Sequence, residues 1–246
     1  MIDHVTIRVG NLASSRRFYE CALALLETSA EFVEADGFVE WNDFSLAQAD
    51  GDHRVTRRLH VAFQAPTRVA VDRWWRELTG RDYDDDGAPG ARPEYGPDYY
   101  GAFVRDPDGS SVEAVHNGPP RGDGTLLDHL WLRVRDLEAA TRFYDAVSPI
   151  VGYRVTRLPG RTRVHGDGAS FSLVAGEPTE CLHLAFSAPD VATVRAFHEA
   201  GVRADAASLG RPGERPQYHR GYFGAYLADP DDNNIEAVHH DRPAGS

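Results

Sequence analysis

A chain that repeats itself at long range cannot fold as one arbitrary domain, and this 246-residue chain repeats in three separate blocks. Ile2-Asp3-His4-Val5-Thr6-Ile7-Arg8-Val9, with Arg17-Phe18-Tyr19 after it, returns as Leu127-Asp128-His129-Leu130-Trp131-Leu132-Arg133-Val134, with Arg142-Phe143-Tyr144 after it. Leu59-His60-Val61-Ala62-Phe63 returns as Leu182-His183-Leu184-Ala185-Phe186. RPEYGPDYYGAFVRDPDGSSVEAVH, ending at His116, returns as RPQYHRGYFGAYLADPDDNNIEAVH, ending at His239. The first block recurs 125 residues on (His4 to His129) and the others 123 residues on (His60 to His183, Glu113 to Glu236), so the register barely slips across half the chain. Two domains follow, 1–118 and 126–246, with the Gly- and Pro-rich stretch 119–125 reading as their linker.

Each half reads as strand, helix and short strands, twice over. Residues 2–9 alternate as a strand. Residues 12–25 place Phe18, Tyr19, Ala22 and Leu23 at helical spacing behind Asn11, a residue type suited to capping. Short strands fit 31–33, 37–41 and 44–47; a strand over 58–64, a helix over 67–78 and strands over 99–105 and 111–115 complete the half. Asp106-Pro107-Asp108-Gly109 supplies the turn between the last two. The second half repeats the scheme. The whole is an α+β chain of four strand–helix–three-strand units.

Composition narrows the chemistry. All 26 basic residues are Arg, which excludes a lysine Schiff base and the lysine of a phosphate-binding loop. Cys21 and Cys181 are too few for a thiolate zinc or iron–sulfur centre, and buried free thiols are the expected state. A net charge of -12 argues against nucleic acid as a partner. No apolar run approaches a membrane span and the start lacks a signal peptide's pattern, so a soluble, cytoplasmic protein is expected. It is expected to act as a monomer or homodimer on a small molecule.

Eleven histidines remain. On a strand, residues two apart share a face. Val5, Ile7 and Val9 make one face of the first strand, with His4, Thr6 and Arg8 on the other; Leu130, Leu132 and Val134 oppose His129, Trp131 and Arg133 in the same way. Val61 and Phe63 oppose His60, and Leu184 and Phe186 oppose His183. The apolar faces suit packing on helices, which leaves the histidines facing a possible cavity. The last strand of each half adds Glu113 and Glu236 among apolar neighbours, where a carboxylate is costly to bury without a partner. Each half therefore offers His, His and Glu on three strands. Two imidazoles and one carboxylate suit Fe(II), Mn, Ni or Zn and leave coordination positions open. An internal ion pair with Arg8 or Arg133 is the alternative use of such a glutamate.

These blocks resemble the vicinal oxygen chelate superfamily, which includes glyoxalase I, bleomycin resistance proteins, fosfomycin resistance enzymes and extradiol dioxygenases. The resemblance rests on Asp3-His4-Val5 and Asp128-His129-Leu130, on the two Arg-Phe-Tyr sequences, on His60 and His183, and on the closing DPDGSSVEAV and DPDDNNIEAV. It implies tandem glyoxalase-like domains, each of paired βαβββ units curling into an open cup. It also implies a divalent metal held by His4, His60, Glu113, His129, His183 and Glu236. Extradiol-like cups form within a domain, whereas glyoxalase-like cups exchange units; both groupings of the six residues are open.

Departures from the family sort its reactions. Glyoxalase I uses a further acidic ligand from a unit's fourth strand, but the matching Phe44-Ser45-Leu46-Ala47 and Phe171-Ser172-Leu173-Val174 carry none. Extradiol dioxygenases add a His and a Tyr upstream of the glutamate. His219 and Tyr226 occupy that region of the second half, whereas Gly96 and Phe103 stand there in the first. Two roles are open to this pair. His219 can be an acid–base group and Tyr226 a hydrogen-bond donor, or Tyr226 packs as Phe103 does and His219 lies in a solvated loop. The expected function is a metal-dependent enzyme of dioxygenase, lyase or isomerase type. The competing expectation is a bleomycin-resistance-like binding protein, with Tyr95, Tyr99, Tyr100, Tyr218, Tyr222 and Phe223 as aromatic walls.

Overall fold

The computed structural model describes residues 1–27, 30–119, 121 and 124–241. Of the expected linker 119–125, residues 120, 122 and 123 lie outside the described residues. Among the described residues the chain is α+β, with four α-helices and sixteen strands in two eight-stranded mixed sheets. It divides into two compact units. Residues 1–5 with 133–246 make the first, and residues 6–132 the second.

The second unit takes the later half of β1 (Ile2–Val9), from Thr6 on, then α1 (Leu12–Leu25), β2 (Phe32–Ala35), β3 (Phe38–Trp41) and β4 (Phe44–Gln48). It continues with β5 (Leu59–Gln64), α2 (Arg68–Thr79), β6 (Asp85–Ala91), β7 (Tyr100–Arg105) and β8 (Ser111–His116), and with β9 (Leu127–Val134) up to Leu132. Its strands lie in the orders β1-β4-β3-β2 and β9-β5-β8-β7-β6. In the first unit the end of β9 leads to α3 (Leu137–Val147), a 3-10 turn (Ser148–Val151), β10 (Arg154–Leu158), β11 (Arg161–His165) and β12 (Ser170–Ala175). Then follow β13 (Leu182–Ser187), α4 (Val191–Arg203), β14 (Ser208–Glu214), β15 (Tyr222–Ala228) and β16 (Asn234–His240), in the order β14-β15-β16-β13-β1.

Local chemistry explains these elements. Asn11 accepts from the Ser14 N–H at the start of α1, Asp136 accepts from two N–H groups at the start of α3, and Thr67 and Asp190 cap α2 and α4. The alternation seen in the sequence is real: Val5, Ile7 and Val9 are buried while His4, Thr6 and Arg8 are half-buried on the opposite face.

The repeated Arg-Phe-Tyr and Asp-Pro-Asp blocks meet in space. In the second unit, buried Tyr19 packs on Phe44 (4.9 Å between ring centroids), which packs edge-on against Phe63 (5.0 Å). Tyr144 and Phe171 repeat the contact in the first unit at 5.0 Å. Removing one such ring costs about 3–5 kcal/mol. A buried phenol needs a partner, and Tyr19 donates to Asp106 Oδ2 at 2.8 Å, as Tyr144 does to Asp229 Oδ2 at 3.3 Å. Asp106 Oδ1 in turn accepts the N–H groups of Asp108 and Ser110 and so closes the β7–β8 turn.

Two details differ from expectation. Strand β6, Asp-Asp-Gly-Ala-Pro-Gly-Ala, carries no apolar alternation and is held through a pairing with β7 that shifts register twice. Neither cysteine forms a disulfide, and each is half-buried instead of buried as expected.

Candidate metal centres

Strand order brings the six expected residues together. In the second unit Ala62 on β5 stands directly across from Glu113 on parallel β8 and from His129 on antiparallel β9. Directly opposed residues share a sheet face, so Glu113 and His129 flank a buried methyl group small enough for both to lean over it. His60, two residues back along β5, shares the face. His60 Nε2 lies 3.1 Å and His129 Nε2 3.5 Å from Glu113 Oε2. In the first unit Ala185 stands across from Glu236, and β1 delivers His4. Glu236 Oε2 lies 3.1 Å from His183 Nε2 and 3.8 Å from His4 Nε2, and the two Nε2 atoms are 3.0 Å apart.

The grouping is therefore the exchanged one. His4 joins His183 and Glu236, and His129 joins His60 and Glu113, as two sets able to hold a metal ion. Arg8, the alternative partner for a glutamate, instead donates to the Gln48 carbonyl at 3.3 Å.

The surroundings aim lone pairs inward. His4 Nδ1 is 2.9 Å from Asp3 Oδ1, and His129 Nδ1 is 2.8 Å from Asp128 Oδ1. An ionised carboxylate only accepts, so Nδ1 carries the proton and Nε2 of a neutral ring presents its lone pair. Burial alone would raise the Asp3 carboxyl, but hydrogen bonds from His240 and His4 outweigh it and hold it well below the usual carboxylate range. Two imidazole lone pairs and a carboxylate oxygen facing one another repel unless a proton or a cation stands between them. Donors about 2.1 Å from one ion are spaced roughly 3.0–3.4 Å apart in octahedral or tetrahedral geometry, close to the spacings found in both sets. The residues fit a divalent metal.

Two features missed in the sequence hold the carboxylates. Tyr99 donates to Glu113 Oε1 and Tyr222 to Glu236 Oε1, each at 2.8 Å and buried, which leaves Oε2 to face the imidazoles. Burial and then the adjacent glutamate charge keep both phenols protonated far above their ordinary range. Gly101 and Gly224 make the room. A Cβ at Gly101 would overlap Glu113 Oε1, and one at Gly224 would lie 2.5 Å from Glu236 Oε1. The repeated Tyr-x-Gly spacing is the signal that could have revealed this: Tyr222 and Gly224 share a face of β15, and Tyr99 stands at the same spacing from Gly101, just ahead of β7.

Tyr226 lies directly across from Glu236 on the face of the triad, its ring 6.3 Å from that of His183. Its hydroxyl is buried beside the Glu236 carboxylate and Tyr218, and burial followed by the Glu236 charge keeps it protonated. Phe103 holds the matching place across from Glu113. His219 is three hydrogen bonds removed from His4. It reaches His240, which sits beside Asp3 and is not the plain surface residue its place at a strand end suggests.

The family model described as the Glyoxalase/Bleomycin resistance protein/Dioxygenase superfamily matches residues 1–114. No curated protein sequence is a significant match. Among solved structures, glyoxalase I from Zea mays superposes with a TM-score of 0.69 at 18% identity, covering 97% of this chain and 92% of that one. A point variant of the same protein gives 0.72 at 20% identity, with the same coverage. A putative dioxygenase from Bacillus subtilis subsp. subtilis str. 168 gives 0.67 at 12%, covering 98% and 85%. Residues 1–114 thus match the model of the Glyoxalase/Bleomycin resistance protein/Dioxygenase superfamily, and the chain as a whole has the fold of these solved structures, built as tandem α+β domains.

Proposed function

We propose that this chain is a divalent-metal-dependent enzyme that acts on a small substrate presenting adjacent oxygen atoms, by oxygenation, isomerisation or lyase chemistry. His4, His183 and Glu236 would hold one ion, and His60, His129 and Glu113 a second. An N₂O donor set suits Fe(II), Mn, Ni or Zn. A divalent ion held there supplies Lewis acidity toward the substrate's oxygens and keeps positions free for them.

The protein's own groups do the rest. Asp3 and Asp128 keep Nε2 of the neighbouring histidine free to ligate, and Tyr99 and Tyr222 stop the glutamates from turning away. Tyr226 adds a protonated hydroxyl beside the first triad, suited to donate to a developing negative charge on substrate. At the second triad Phe103 takes that place, and Tyr95 packs on Tyr99 (5.1 Å) and near Trp131 (6.1 Å), forming an aromatic wall. The two centres therefore suit different substrates, or different parts in one reaction.

The reading is carried by one observation, the convergence of two imidazole nitrogens and one carboxylate oxygen, twice. Protein purified without chelators should hold up to two equivalents of divalent metal, and His183→Ala should remove one. Absence of metal together with no affinity on titration overturns the proposal. A binding protein without catalysis is the second reading, favoured by Tyr95 and Tyr218, which are 47% and 61% exposed. It predicts ligand binding indifferent to His183→Ala and no turnover.

A further inference from the structure

The two triads are backed by different groups, and the difference lies in residues the repeat does not share. In the first unit a chain of contacts runs inward from the surface. His219 Nδ1 meets the Arg220 carbonyl at 2.8 Å, and His219 Nε2 meets His240 Nδ1 at 2.8 Å. His240 Nε2 then meets Asp3 Oδ1 at 3.1 Å, and that oxygen also takes His4 Nδ1 at 2.9 Å. The imidazoles are stacked, with centroids 5.0 Å apart and an interplanar angle of 23°, and the Tyr222 ring stands edge-on to both.

The contacts along this chain require a definite number of protons. A carbonyl and an ionised carboxylate only accept, so each end of the histidine pair must donate to its neighbour. The link between the rings needs one more proton. All of these contacts are made at once only with three ring protons on the two imidazoles, one more than two neutral rings carry. In the second unit the matching positions are Gly96 and Asn117, which supply no imidazole. There Arg121 donates to Asp128 Oδ2 at 3.2 Å, while Asp128 Oδ1 takes His129 Nδ1. Each aspartate beside a triad histidine thus has a nitrogen donor behind it, but the two donors come from unrelated places in the chain.

We propose that His219 and His240 form a positioning pair that holds a shared proton and so fixes Asp3, and through Asp3 the tautomer and aim of His4 in the first triad. The proposal rests on the metal reading above. A partner of a partner acts by holding the ligand in its productive orientation, and its loss costs about 10–100-fold in metal affinity.

Two measurements test it. In the metal-free protein at neutral pH, ¹⁵N NMR of the imidazole rings should show three protonated nitrogens among the four of His219 and His240. Two neutral rings would overturn the shared proton whether or not metal binds. Zinc affinity is then measured by calorimetry for each triad alone, with His60→Ala and His129→Ala isolating the first, and His183→Ala the second. His240→Ala should weaken the first triad about 10–100-fold and leave the second unchanged, and His240→Gln, which restores a donor to Asp3, should recover most of the loss. An unchanged first triad, an equal fall at the second, or no recovery with Gln each overturns the positioning role. Zinc bound in neither background overturns the metal reading instead, and the proton count still stands or falls by itself.

Discussion

Tyr222 and Glu236 are joined by a buried 2.8 Å hydrogen bond that commits one carboxylate oxygen to the phenol and leaves the other to His183. Tyr99 and Glu113 repeat the arrangement. The bond does two things. It satisfies an oxygen that water does not reach, and it fixes the rotation of the carboxylate.

Replacing either phenol by Phe removes the donor and leaves a buried charged oxygen unsatisfied. Such a loss costs about 1–3 kcal/mol. Tyr222→Phe should lower the urea midpoint accordingly and weaken zinc binding at the first triad about 10–100-fold, the range seen when a group orienting a ligand is removed. Equal zinc affinity in wild type and variant would show that the phenol does not orient Glu236.

Glycine at 101 is demanded by contact and not by backbone torsion. A methyl group there would occupy the space of Glu113 Oε1. Gly101→Ala should drive the carboxylate off its histidines and abolish zinc binding at the second triad, with the first triad as internal reference. Gly109→Ala, where a Cβ meets nothing within 4 Å, is the contrasting change: its strain comes from a left-handed φ of 85°. It should cost about 1 kcal/mol in the denaturation midpoint and leave both zinc affinities alone. Two zinc equivalents retained by Gly101→Ala would sink this account.

Much of this arrangement was readable in the residues. The period-2 alternation put His4, His60, His129 and His183 on the faces turned away from the helices, and the repeat made each reading count twice. The grouping was not readable, because spacing along the chain does not say which strands become neighbours. It is settled by β5 having β8 on one side and β9 on the other, so that His129 and not His4 stands beside Glu113. Strand β6 gave no signal, since its glycines and proline read as loop and its strand character comes from pairing alone. His240 reads as a strand-end surface residue because nothing local announces that Asp3, 237 positions away, will lie beside it.

Metal binding should also be visible as stability. A ligand that binds only the folded state adds roughly 2.7 kcal/mol at one hundred times its Kd. For a chain of this size that corresponds to a rise of about 5–10 °C in melting temperature per saturated site. Adding zinc to chelator-treated protein should raise the melting temperature, and the double variant Glu113→Gln with Glu236→Gln should lose the rise. A full rise in that variant would place the bound metal elsewhere.

Asp106 and Asp229 give the chain a pH dependence separate from the triads. Burial is the dominant influence and raises each to about 6, against the lowering effect of hydrogen bonds from Tyr19 and Ser110 in one case and from Asn233 in the other. An unfolded aspartate titrates near ~3.9, so here the folded state holds the proton more tightly. Their contribution to stability is complete below the unfolded value and drains away as pH rises through about 6. Linkage puts the loss between about pH 5 and 7 at roughly 1 kcal/mol for each carboxyl. Asp3 has the opposite sign: its carboxyl is held low, so its contribution is present above the unfolded value and lost on acidification. Asp106→Asn with Asp229→Asn keeps an oxygen to accept the turn N–H groups and removes the titration. Urea denaturation of wild type and double variant should therefore show a stability difference that changes by about 2 kcal/mol across that interval, wild type gaining as pH falls. A difference independent of pH would mean that these carboxyls titrate alike folded and unfolded.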